Sequence, residues 1–194
     1  SEMIKDPKFG PLMLEAPEPI LTGALIMARI LGVKTILVGI EQNKPDAIAL
    51  LGAAAAPLGI QVQGLRVRYP QGAEKQLIYA LTGRKVPTGG LPMDVGVVVQ
   101  NVGTSAAVAA AVREGTPLYE RVTTITGTPV ASPGNWRLRV GTSYAKAIEL
   151  AGGITGDTAK VISGGPMMGF SVYDLETPVR SEERRVGKEC TIQC

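Results

Sequence analysis

Short apolar runs rich in β-branched residues alternate along this chain with longer Ala/Leu-rich segments that stop at glycine. That rhythm limits the fold more than any other feature of the sequence. "KTILVGI" (34–40), "GIQVQGLRVR" (59–68) and "DVGVVVQN" (94–101) have the length and composition of strands. Around them lie helical patterns. "PEPILTGALIMARILG" (17–32) closes at Gly32, and "EQNKPDAIALLGAAAA" (41–56) puts Pro45 where a first helical turn tolerates it. A third helix spans 73–82 before Gly83, and "TSAAVAAAVREG" (104–115) ends at Gly115 with Thr104 or Ser105 as its cap. Strands alternating with helices predict βαβ units, hence an α/β fold with a mostly parallel sheet. Ligands of such sheets bind beyond the carboxyl ends of the strands. Residues 41–43, the segment 69–75, and Gln100 with Asn101 are expected to share that edge.

From about Glu120 the texture changes. Two short strands flank Pro133-Gly134, a helix runs from about Ser143 to Ala151, and "KVISGGPMMGF" supplies another strand. This order predicts a small α+β module over 119–179, after a first domain over 1–118. Trp136, the only tryptophan, is expected in its core, and Met167 and Met168 are expected to pack in core or loop. The last stretch, "RSEERRVGKECTIQC" (180–194), shifts abruptly to dense charge. Its first eleven residues resemble the translation of a sequencing adaptor, so 180–194 is expected to be non-native and is set aside from the fold.

Composition removes several chemistries. Setting the tail aside removes both cysteines, and the chain has no histidine. Thiolate and imidazole catalysis and Cys/His metal sites are thereby excluded from 1–179; no metal site is expected there. Carboxylate, Lys, Tyr, hydroxyl and backbone groups remain, or a cofactor that carries the reaction itself. The formal net charge, +3 for the whole chain and +2 without the tail, lacks the clustered basic excess of a nucleic-acid footprint. No apolar run is long enough for a transmembrane helix, and no signal-peptide pattern opens the chain.

"YPQGAEKQLIYALTG" (69–83) is the most suggestive stretch. Gly72 before a helix lets backbone approach a ligand, and the free N–H groups of the first turn form an anion site. Glu74 in that turn is equally accounted for by the helix dipole, worth roughly 0.3–1 kcal/mol. The Gly-Lys-Ser/Thr ending of a nucleotide-hydrolysing phosphate loop is absent, and so is the Rossmann glycine pattern. Gln100 and Asn101 after an apolar run suit a phosphate or ribityl chain, or merely satisfy loop backbone. Glu41 at a strand end and Lys85 in a Pro/Gly-rich loop are further candidates, although loop lysines are usually just solvated.

At these residues the chain resembles a known family. "YPQGAEKQLIYALTGRKVPTGGLPMDVGVVVQNVGT", "LMLEAPEPI", "GIEQNKPDAI", "PGNWRLRVGTS" and "VISGGPMMGF" resemble the C subunit of the Rnf ion-translocating electron-transport complex. Over the first of these motifs the chain is also similar to a cobalamin reductase and, more distantly, to the flavin-bearing subunit of respiratory complex I. The resemblance implies a Rossmann-like FMN domain, then a β-grasp ligand-binding module. It also implies two 4Fe-4S clusters in a part downstream of 179, and a glycine-rich FMN loop upstream of Ser1. Electrons would pass from NADH through FMN to the clusters, with no catalytic side chain, because the flavin carries the chemistry. By resemblance to the flavin-bearing subunit of complex I, Tyr69, Gly72, Glu74 and Lys75 would line the flavin and nicotinamide cleft; Glu41 and Lys85, from their own positions, are expected with Glu74 on the NADH side. Gln100, Asn101 and Thr104 would contact the FMN ribityl phosphate. The partners implied are the other subunits of a membrane complex, with peripheral attachment at the cytoplasmic face of the bacterial inner membrane. Residues 1–179 alone are expected to bind FMN weakly or not at all, and to be inactive by themselves. The alternatives are the cobalamin reductase and a flavin-less binding or scaffold module.

Overall fold

The computed structural model describes residues 3–4, 11–68, 73–156, 160–164, 169–179 and 190–193. Two compact units result: Phe9–Pro117, and Leu118–Cys194 together with Ser1–Lys8. The opening strand β1 (Met3–Ile4) belongs to the second of these.

The Phe9–Pro117 unit begins with α1 (Pro11–Glu15) and α2 (Pro17–Leu31). Prolines in the first turn of α2 forgo N–H groups that lack intrahelical partners anyway, and Gly32 ends it in the left-handed conformation, φ 66°. Strand β2 (Leu37–Glu41), helix α3 (Pro45–Ala55) and strand β3 (Gln61–Leu65) form a βαβ unit, with β2 and β3 paired in parallel from Leu37↔Gln61 to Glu41↔Leu65. α3 buries Ala47, Leu51 and Ala55, the i, i+4, i+8 stripe its sequence predicts.

Strand alternation assigns the two faces of this sheet. Val38, Ile40 and Val62 pack with α1, α2 and α3 around Met13, Ile20, Leu21 and Leu51. The opposite face carries Gly39, where an added Cβ would lie 2.8 Å from Leu65 Cδ1 and 2.9 Å from Leu77 Cδ1. Leu77 belongs to α4 (Glu74–Thr82), so α4 covers that face and glycine makes room for it. Helix α5 (Val102–Glu114) joins the first layer. Val102 and Ala106 pack on the α1–α3 cluster, and the buried Ser105 hydroxyl donates to the Ile20 carbonyl of α2 at 2.7 Å.

Two expectations change here. Residues 94–101, expected as a third buried strand, form a short 3-10 turn over Pro92–Val95, and Val97–Gln100 has no ladder among the described residues. The Val97 amide donates locally to the Pro92 carbonyl, and Val98 is half exposed. Apolarity says what a segment can bury, whereas a strand exists only through its partners. The parallel sheet has two described strands. Neither Thr104 nor Ser105 caps α5. Asn101 does, its Oδ1 accepting from Gly103 N at 2.7 Å, because the helix starts earlier than its alanine run suggests. Residues 69–72 and 165–168, and with them Tyr69, Gly72, Met167 and Met168, lie outside the described residues.

In the other unit β4 (Glu120–Thr126) and β5 (Gly134–Arg139) pair antiparallel from Glu120↔Arg139 to Ile125↔Gly134. The connection runs through 127–133 rather than a bare Pro-Gly turn, since Val130 bridges Ile154 and the Ala131 and Ser132 amides donate to the carbonyls of Gly153 and Ala151. Helix α6 (Tyr144–Leu150) is capped by Ser143, whose Oγ accepts from Lys146 N at 3.2 Å. With β6 (Val161–Ser163), β7 (Phe170–Val172) and β8 (Cys190–Gln193) the six-stranded order is β1-β5-β4-β8-β6-β7. Ile125, Trp136, Leu138, Tyr144, Ile148, Val161 and Val179 fill the core. β8 comes from the segment set aside as a tail, yet it lies between β4 and β6. Ladder pairing uses main-chain groups that every residue supplies, so a strand slot accepts a segment irrespective of its origin.

Candidate functional site

The parallel pair β2/β3 fixes one edge of the first unit. Glu41 and Leu65 are register partners at its carboxyl end, and by alternation Glu41 is on the face that α4 covers. α4 follows β3 and lays Leu77 over Gly39, so its first turn, with Glu74 and Lys75, comes to the same edge and face. Among the described candidates, Glu41, Glu74 and Lys75 are thus placed at one edge. Glu41 is engaged locally: its Oε2 accepts from Lys44 Nζ at 3.0 Å.

The two lysines are anchored on the α4 side. Lys75 Nζ donates to the Pro87 carbonyl at 3.3 Å, and Lys85 Nζ sits 5.6 Å from the centroid of the Tyr79 ring, inside cation–π range. Both contacts tie the loop after α4 back onto the helix. Lys75 is therefore a loop anchor as well as a candidate ligand group.

Gln100, Asn101 and Thr104 arrive by another route. They lie at or just before the start of α5, and α5 packs on α2, in the layer opposite α4. Without a third ladder, the shared-edge expectation for Gln100 and Asn101 loses its original basis. Gln100 is exposed, Thr104 is half-buried, and Asn101 has its Oδ1 committed to the cap. The first turn of α5 still presents N–H groups beyond the reach of intrahelical acceptors.

Two residues outside the candidate set matter to this geometry. Gly23 of α2 lies against Ser105 of α5, where a Cβ would fall 1.7 Å from the Ser105 carbonyl oxygen. Arg84, just beyond the left-handed Gly83 that ends α4, donates from one terminal nitrogen to the carbonyls of Val95 at 2.8 Å and Gly96 at 3.4 Å. Neither is visible in sequence, because each acts on a backbone oxygen that only the folded chain brings near. Of the described ionisable groups, Arg113 is held above its ordinary pKa by its hydrogen bond to Glu18 and by that carboxylate's charge. Among the described residues no Asp/Glu/His/Cys cluster could hold a metal ion, and no helix is long and apolar enough to cross a membrane.

Residues 9–110, more than half of the chain, match the family described as the Nuo51 FMN-binding domain, and the chain belongs to that family. Residues 122–171 match the SLBB domain. A solved NAD+-reducing [NiFe]-hydrogenase in the H2-reduced state shares the fold: TM-score 0.72 at 20% identity, over 93% of this chain and 37% of the other. In Clostridium ljungdahlii, the C subunit of the proton-translocating ferredoxin:NAD(+) oxidoreductase complex is 50% identical to it over 167 residues, 86% of this chain and 36% of that protein. In Pseudomonas aeruginosa, the C subunit of the ion-translocating oxidoreductase complex is 46% identical over 168 residues, 87% of this chain and 22% of the relative. The chain thus spans little more than a third of the length of these relatives, or less.

Proposed function

We propose that this chain is the FMN-domain and SLBB part of an electron-transfer subunit that takes electrons from NADH and passes them to an ion-translocating membrane complex. The observation that carries this is the 50% identity to the C subunit of a ferredoxin:NAD(+) oxidoreductase complex, running through the FMN-domain match. FMN would supply the redox chemistry, accepting two electrons as hydride and releasing them singly.

The chain's own donors suit the polar half of FMN. Amides from Gln100 and Asn101, the Thr104 hydroxyl and the first-turn N–H groups of α5 match a ribityl chain and its phosphate. On the α4 side Lys75 adds a cation near the flavin, and Glu74, Glu41 and Lys85 are proposed for the nicotinamide side. Tyr69 and Gly72 are proposed as the wall beside the ring. The clusters that accept the electrons are proposed to lie in the remainder of the intact subunit. Attachment is proposed to be peripheral, through the other subunits, on the cytoplasmic face.

The test is to purify the intact subunit, record its flavin absorbance and add NADH anaerobically. Flavin bleaching is the expected result. A folded protein without flavin, which does not take up added FMN, would refute the proposal and leave a scaffold role.

A further inference from the structure

We infer that Arg84 is a positioning residue for the flavin site, an inference that rests on the function proposed above. The candidate ligand groups come from opposite layers of the sheet: Glu74 and Lys75 from α4, and Gln100, Asn101 and Thr104 from the start of α5. A cofactor spanning both halves needs them held at a fixed offset, since misplacement of about 1 Å is costly to an oriented site. On the α5 side the helix itself is held on α2 by Val102, Ala106 and the Ser105–Ile20 hydrogen bond. The segment that carries Gln100 into it is not held by secondary structure. Between the 3-10 turn Pro92–Val95 and Asn101 there is no ladder among the described residues.

Arg84 bridges this gap. Its backbone is fixed to the end of α4, with the Arg84 amide donating to Thr82 Oγ1 at 3.2 Å while that hydroxyl donates to the Ile78 carbonyl at 2.7 Å. Its guanidinium holds the Val95 and Gly96 carbonyls at the C-terminal end of the 3-10 turn, where backbone partial charge is negative. No carboxylate pairs with Arg84 among the described ion pairs, so the carbonyls are its partners. Gly96 adopts φ +66°, and a Cβ there would lie 3.5 Å from the same guanidinium nitrogen. The clamp therefore sets where Val97–Gln100 departs toward Asn101. Lys75, bonded to the Pro87 carbonyl, ties down the near half of the same loop.

The experiment is FMN titration of the intact protein in its flavin-free form, comparing wild type, Arg84→Met and Arg84→Lys, with thermal unfolding of each flavin-free protein. Arg84→Met is expected to raise the FMN Kd about tenfold, equivalent to about 1.4 kcal/mol. Arg84→Lys, which keeps a cationic donor, is expected to stay within about threefold of wild type, and the flavin-free melting temperatures are expected to coincide. An unchanged Kd for Arg84→Met would overturn the inference while leaving the flavin proposal standing. Equal impairment of both variants with lowered flavin-free stability would also overturn it, by making Arg84 a packing residue. If wild type itself takes up no FMN, the functional proposal fails and the Arg84 role falls with it.

Discussion

Replacing Gly23 by alanine is the sharpest test of the first unit. The new Cβ would lie 1.7 Å from the Ser105 carbonyl oxygen, 2.5 Å from its carbonyl carbon and 2.9 Å from its Oγ. Carbon and oxygen atoms in contact sit roughly 3.5 Å apart, so α2 and α5 must separate by more than 1 Å, roughly. Overpacking of this kind costs about 1–3 kcal/mol. Separation also breaks the Ser105–Ile20 hydrogen bond in a buried site, which adds about 1–3 kcal/mol. Alanine's better helix propensity returns about 1 kcal/mol, leaving a net loss of about 1–5 kcal/mol. The obstacle is backbone, so trimming Ser105 to alanine in the same chain should not rescue it. Gly52, inside α3 with nothing within 4 Å of its Cβ position, is the matched control. Gly52→Ala should stabilise by about 0.5–1 kcal/mol. Urea unfolding followed by helical circular dichroism should move the midpoint down by roughly 1–2 M for Gly23→Ala and up for Gly52→Ala. Fluorescence of Trp136 reports separately on the other unit. A Gly23→Ala protein as stable as the parent would refute the α2–α5 packing.

Further outcomes follow from the site. Glu74→Ala in the intact subunit should impair NADH oxidation; an unchanged rate removes Glu74 from the nicotinamide side. Asn101→Ala should cost about 1 kcal/mol as a lost N-cap. Asn101→Ser should restore the stability in urea titration but not the FMN affinity, whereas restoration of both would leave Asn101 as a cap alone. Ser143→Ala should lower the stability of the second unit, followed by Trp136 fluorescence, by about 1 kcal/mol through loss of the α6 cap. Arg113→Met should lower the urea midpoint little, and by the same amount at every pH between about 6 and 9. The raised Arg113 pKa implies stability lost only as pH rises through the folded value, far above that window, and the pair with Glu18 is solvent-exposed. A clear fall in midpoint would contradict that assignment.

Local rules made much of this fold legible. Pro17 and Pro45 open α2 and α3, and Gly32, Gly83 and Gly115 end their helices with positive φ, because each requirement is satisfied within one turn of chain. The parallel pairing of β2 and β3 follows from two apolar runs separated by one amphipathic helix. The motifs around Glu74 and Asn101 likewise carried enough identity to point to an FMN-binding family. Pairing, layering and long-range backbone contact were decided elsewhere. Val97–Gln100 has the apolarity of a strand, yet its ladder depends on a neighbour that its own residues do not encode. Cys190–Gln193 reads as a foreign tail but occupies a slot that main-chain hydrogen bonding alone fills. The division of the candidate site between α4 and α5, and its tether through Arg84, arise only when α5 docks on α2 and the Val95 carbonyl reaches the end of α4. Those acceptors are backbone oxygens, identical at every position of the sequence, so only tertiary structure could single them out.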